Sequence, residues 1–114
     1  MDRLESIMKM QKEYIDMLAS KRGVFNGEYT REEMLNMLCT AMIQEVCELQ
    51  NLTNWKWWKI SKKELDVAKA REELIDIMHF LIHAMIVMGM DADTVHEEYK
   101  RKNEINRKRL YDGY

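Results

Sequence analysis

Glu73-Leu74-Ile75-Asp76-Ile77-Met78-His79-Phe80-Leu81-Ile82-His83-Ala84-Met85-Ile86-Val87-Met88-Gly89 is the stretch on which the reading of this chain turns. It is almost wholly apolar, and Gly89 supplies a natural helix stop. Asp76, His79 and His83 interrupt it, and it is short for a bilayer span, so it reads as a buried core helix. Glu73 and Asp76 stand at i, i+3, which puts their Cβ atoms roughly 5–6 Å apart on one helical face. An unpaired carboxylate in such surroundings is costly.

Upstream, Glu45-Val46-Cys47-Glu48 repeats the pattern. Glu45 follows Met34, Leu38 and Met42 in the inward register. A single Glu-x-x-Glu is ordinarily a solvated helix face. Two such pairs on apolar faces read differently, because acids there are rarely buried unless paired or liganding. Two helices side by side would aim four acids at one point, and like charges that close require a cation between them. An all-oxygen set suits a hard divalent ion such as Mg²⁺.

The remaining pattern predicts four helices. The first runs from about Asp2 to Ser20, with Leu4, Ile7, Met8, Gln11, Ile15 and Leu18 along one stripe; Gly23 to Gly27 breaks it. Thr30-Arg31-Glu32-Glu33 is a capping box opening the second, which carries Met34, Leu35, Leu38, Met42, Glu45 and Leu49 and decays near Thr53-Asn54. Ser61-Lys62-Lys63-Glu64 reads as another capping box, opening a third helix that reaches Met88. Asp91 or Asp93 caps a fourth, which runs to about Arg109. No segment has the period of a strand. The expectation is a single all-α domain over residues 1–114, bundle-like, with four helices.

Composition agrees. The 114 residues include no Pro and four Gly, and 46% are hydrophobic, eleven of them Met. Met fills irregular gaps, so it is read as core and interface filler. A chain of this size gains from oligomerisation, and a homodimer is expected, with a tetramer as the alternative. The net charge of −2 gives no global field for nucleic acid or anionic membrane. The N-terminus lacks the apolar segment of a signal peptide. Cys39 and Cys47 are eight residues apart on one helix, about 12 Å and beyond disulfide reach, so they read as buried free thiols of a reducing cytoplasm.

Three other features carry alternatives. Asp76-x-x-His79 is similar to the Glu-x-x-His unit of di-iron four-helix bundles, but that architecture needs the unit on two helices plus a Glu from each of two others, and no His follows Glu48 at the right offset. His83 reads as a satisfied core or interface histidine; His79 reads as that or as a substrate contact. Trp55, Trp57 and Trp58 suit packing, a dimer contact, or stacking on a nucleobase; a membrane anchor would bring a longer basic amphipathic helix. Lys100, Arg101, Lys102, Arg107, Lys108 and Arg109 surround Glu104 near a helix C-terminus, where cations are tolerated. They read as a solvated face or as a local grip, with Asn103 and Asn106, on a polyphosphate.

Glu-x-x-Glu, 24 residues, then Glu-x-x-Asp resembles the signature of the all-α nucleoside triphosphate pyrophosphohydrolases, the MazG and dimeric dUTPase superfamily. Lys102-Asn103-x-x-Asn106-x-x-Arg109-x-x-x-Gly113-Tyr114 is similar to the closing motif of the dimeric dUTPase branch, as is Asp76-x-x-His79-Phe80. The resemblance covers roughly residues 30–114. It implies the all-α NTP pyrophosphatase fold, a homodimer, and hydrolysis of dUTP to dUMP and pyrophosphate. It also implies two or three Mg²⁺ ions, with Mn²⁺ able to substitute, held by Glu45, Glu48, Glu73 and Asp76. Glu48 is the expected catalytic carboxylate. Lys102, Arg109 and Tyr114 are expected on the phosphates, Asn103 and Asn106 near sugar and phosphates, and Trp58, His79, Phe80 and Gln11 about the base. Tyr14 stands where the family often carries an Asn, and Leu110 where a Gln often follows the Arg, which leaves base selectivity open. A broad MazG-like house-cleaning enzyme is the nearest alternative, and a helical interaction module the one from a different class.

Overall fold

Side-chain caps set where each helix begins. The computed structural model describes residues 1–113. Helix α1 spans Arg3–Arg22, α2 Arg31–Gln50, α3 Val67–Val87 and α4 Ala92–Tyr111. Asp2 accepts from the Glu5 N–H (2.8 Å) and Asp91 from the Thr94 N–H (2.8 Å). At α2 the reciprocal box forms as the sequence predicts: Glu33 N–H donates to Thr30 Oγ1 at 3.1 Å and Thr30 N–H to Glu33 Oε1 at 3.0 Å. Such a cap is worth about 1 kcal/mol. Gly89, at φ 76, lets the chain leave α3, with Met90 N–H returning to the Met85 carbonyl (3.0 Å).

The start of the third helix differs from expectation. Ser61-Lys62-Lys63-Glu64 caps nothing; α3 begins at Val67, and Asp66 is its cap, accepting from the Lys69 N–H at 3.1 Å. The cause is Asn54. Its amide grips both backbone groups of Lys63, donating to the carbonyl (2.8 Å) and accepting from the N–H (3.1 Å). Those two groups are thereby withheld from a helix, and residues 51–66 form an irregular connection. Trp55 Nε1 donates to Asn51 Oδ1 (2.9 Å), and Trp58 packs edge-on against both Trp55 and Trp57.

Helices α2 and α3 form the main pair, with the C-terminal part of α2 against the N-terminal part of α3. Helix α1 lies on α3, and α4 turns away from α3 at 103° to rest mainly on α1. Met8, Ile82 and Ala92 make the centre of a small core, joined by Leu4, Met78 and Val95. Met8 and Gln11 are the buried positions of the predicted α1 stripe, and Leu38 is the buried one on α2.

The predicted bundle does not close within one chain. The radius of gyration is 17.7 Å, against about 13 Å for a compact domain of this length. The accessible surface is 9331 Å², about two-fifths above the roughly 6,600 Å² expected of a monomer of 13.8 kDa. Cys39 and Cys47, read as buried, are exposed, because they lie on the face of α2 turned from α3. Leu74, Ile75 and Leu81 are exposed too, so α3 is a core helix on one side only. Among the described residues, no single helix is long and apolar enough to cross a membrane.

Candidate metal and nucleotide site

Midway along the α2–α3 pair, Glu45, Glu73 and Asp76 each present a carboxylate oxygen, and the three oxygens lie within 4.8 Å of one another. The helical period brings Glu73 and Asp76 to one face, and the packing of α2 adds Glu45. Glu45 Oε2 and Glu73 Oε2 are buried without a hydrogen-bond partner among the described residues. Orphaned buried oxygens of this kind call for an explanation. Loss of water around Glu45 pushes its pKa up to about 7, aided by hydrogen bonding with Glu48 and Glu73 and by the charges of Glu48 and Asp76. An all-oxygen donor set with two oxygens short of partners fits a hard divalent cation.

Glu48 stands beside Glu45 but outside the three-oxygen cluster. It is exposed, and its Oε1 takes only a long 3.5 Å contact from Gln44 Nε2. The sequence-level set of four ligands thus divides into three clustered acids and a neighbour open to solvent.

The acids border a cavity of about 840 Å³ between α1, α2 and α3, which Glu45 and Asp76 help to line. Its size suits a small-molecule site. Gln11 and Tyr14 line it from α1, and His79 and Phe80 from α3. Gln11 is 6% exposed, and its Oε1 has no partner among the described residues.

Other expected site residues do not reach this cavity within one chain. Trp58 belongs to the exposed tryptophan cluster of the 51–66 connection, 5.7 Å from Trp55 and 5.5 Å from Trp57 between ring centroids. Lys102, Asn103, Asn106 and Arg109 lie exposed on α4, because that helix is aimed away by its 103° turn from α3. Tyr114 lies outside the described residues.

Two cavity residues escaped the sequence reading. His83 is buried as expected; among the described residues it makes no hydrogen bond, and it meets Phe25 edge-on at 4.9 Å. Burial lowers its pKa, which favours the neutral imidazole. A signal was available, since His83 follows Asp76 by seven residues and shares its helical face. Phe25 gave none. It sits in the α1–α2 loop at φ 60, a conformation that sequence pattern does not reveal for a bulky residue.

Comparison with known proteins bears on this geometry. The T4 phage dCTP pyrophosphatase is 31% identical over 71 residues, covering 53% of this chain and 42% of that protein. The chain therefore spans well under half of that relative's length. No solved structure matches the chain. A family model described as dUTPase matches residues 3–88, which takes in α1, α2, α3 and all four acids. By that match, over an all-helical fold built around clustered carboxylates, this chain belongs to the dimeric dUTPase family of all-α NTP pyrophosphatases.

Proposed function

We propose that the chain is a Mg²⁺-dependent pyrophosphohydrolase of pyrimidine deoxynucleoside triphosphates, with dUTP favoured, and that it works as a homodimer. The observation carrying this reading is the meeting of Glu45, Glu73 and Asp76 at the border of a cavity large enough for a nucleoside. The second reading, dCTP as substrate, is favoured by the similarity to the phage dCTP pyrophosphatase.

Glu45, Glu73 and Asp76 would hold the ion, with Glu48 completing the set. Bound there, Mg²⁺ supplies Lewis acidity that offsets phosphate charge and makes a nearby water more acidic. The chain's own part is positional. The cavity orients the nucleoside so that the α-phosphorus lies at the acid cluster. Glu48, open to solvent beside Glu45, takes the proton of the attacking water. Lys102 and Arg109 would steady the leaving pyrophosphate, which requires α4 of the same chain or of a second copy to reach the acids.

The second copy is supported by surface. The excess of accessible area over a compact monomer exceeds the roughly 800 Å² per partner of a standard interface. Ile43, Val46, Leu74 and Leu81 lie exposed on the outer faces of α2 and α3 and supply apolar contact for it.

Pyrophosphate release measured with dUTP, dCTP, dTTP, dATP and dGTP tests the reading. A rate on dUTP at least tenfold above the rest supports it, and dominance of dCTP selects the second reading. Equal rates on all five would instead indicate a broad house-cleaning enzyme, and no release from any would end both.

A further inference from the structure

His83 is a polar side chain that the proposed chemistry leaves unused. It is 4% exposed, without a hydrogen bond among the described residues, and in the wall of the same cavity as the acids. A ring nitrogen that no protein group engages, in the wall of a cavity, is open to a bound ligand. Gln11, whose Oε1 is buried and unpartnered among the described residues, lines the same cavity.

Depth decides which part of a ligand His83 meets. On α3 it lies two turns beyond Asp76, about 10 Å along the axis. That span is comparable with the distance from the α-phosphorus of a nucleotide to the far edge of its pyrimidine ring. With the α-phosphorus at the acids, the atom reaching His83 is the exocyclic substituent on ring carbon 4. Phe25, which lines the same cavity, packs on the imidazole edge-on at 80° between ring planes. The Phe25 backbone is itself strained at φ 60, with its N–H donating to Glu28 Oε1 at 3.1 Å. Strain of this kind persists where surrounding structure enforces it.

We propose that His83 is a specificity residue that hydrogen-bonds the 4-substituent of a bound pyrimidine, with Phe25 as its positioning residue. A neutral imidazole has one donor and one acceptor nitrogen. It donates to the 4-oxygen of uracil, or through the other tautomer accepts from the 4-amino group of cytosine. The inference rests on the nucleotide reading above and adds which atom of the base is read.

The test compares dUTP, dCTP and the triphosphate of 2-pyrimidinone deoxynucleoside, which lacks any 4-substituent. Wild-type kcat/KM is expected to favour dUTP or dCTP over that analogue about tenfold or more, the loss typical of one buried hydrogen bond. His83→Phe keeps the aromatic contact with Phe25 but removes both nitrogens, and should bring dUTP and dCTP down to the analogue's level. The analogue's own kcat/KM should stay within about twofold. His83→Asn should restore part of the preference. In wild-type protein, the ¹⁵N resonances of the His83 ring should also shift when α,β-imido-dUTP binds, a readout that needs no folded variant. Discrimination kept by His83→Phe, or unmoved ring resonances in the bound complex, overturns the proposal alone. Absence of hydrolysis with every nucleoside triphosphate overturns the underlying function as well.

Discussion

The acid cluster and the basic fourth helix are both dense in charge, yet the fold treats them in opposite ways. Glu45, Glu73 and Asp76 are half-buried and drawn within 4.8 Å of one another by the packing of α2 on α3. Lys102 and Arg109 are exposed on a helix turned 103° from α3. One chain thus builds the half of the proposed site that costs most to assemble. Gathering like charges requires a rigid frame, because their repulsion opposes folding. Cations that meet a substrate's phosphates need no such frame, since the ligand itself supplies the attraction.

The contrast can be broken at its strongest point. Asp76→Asn removes a charge from the cluster and should lower kcat at least about 100-fold with Tm kept or raised, because repulsion falls. Pyrophosphate release and thermal melting check this; near-normal turnover would falsify the metal assignment. The next effect concerns the open face. Light scattering should give a mass twice 13.8 kDa for the wild type. The double variant Ile43→Lys/Val46→Lys should shift it to the monomer and reduce activity about tenfold or more if the second copy completes the site. A monomeric wild type with full activity sinks the dimer.

On the basic side the effect is smaller. Arg109→Ala should raise KM about tenfold, the worth of one charge-assisted contact, with the fold unchanged. Unaltered kinetics would remove α4 from the phosphates. The smallest effect is a slope. In the fold Glu45 keeps its proton to about pH 7, whereas its ordinary value is 4.5. The native state therefore binds more protons than the unfolded chain within that window, and metal-free stability falls as pH rises through it. Urea midpoints at about pH 5 and about pH 8 in a chelator should show the decline, and Mg²⁺ should flatten it by taking the proton's place. A rise with pH in the chelator would mean that the acids do not repel.

Legibility followed the same division. The α2 start was readable because Thr30 and Glu33 form their box from four consecutive residues. The start of α3 was not, although Ser61-Lys62-Lys63-Glu64 has the same pattern. Asn54, nine residues from Lys63, occupies the backbone groups that such a helix needs. Gln11, His79 and Phe80 line the cavity, while Trp58 packs with Trp55 and Trp57 in the 51–66 connection. His83 lies in the interior, as its helical position implied, and makes no hydrogen bond among the described residues. Burial follows from helical period, whereas the presence of a hydrogen-bonding atom opposite a side chain depends on what other helices bring there.

Legible from residue order alone were the all-helical class, the ends of α1, α2 and α4 to within about four residues, and the spacing of each acid pair along its helix. Those follow from interactions within one turn of chain, which spacing encodes directly. It took the packing of the helices to show that three of the four acids cluster while Glu48 faces solvent. The tertiary structure alone placed Phe25 against His83 and left α4 apart from the cavity. Each of these depends on the angle at which one helix meets another, and that angle is set by side chains far apart in the sequence.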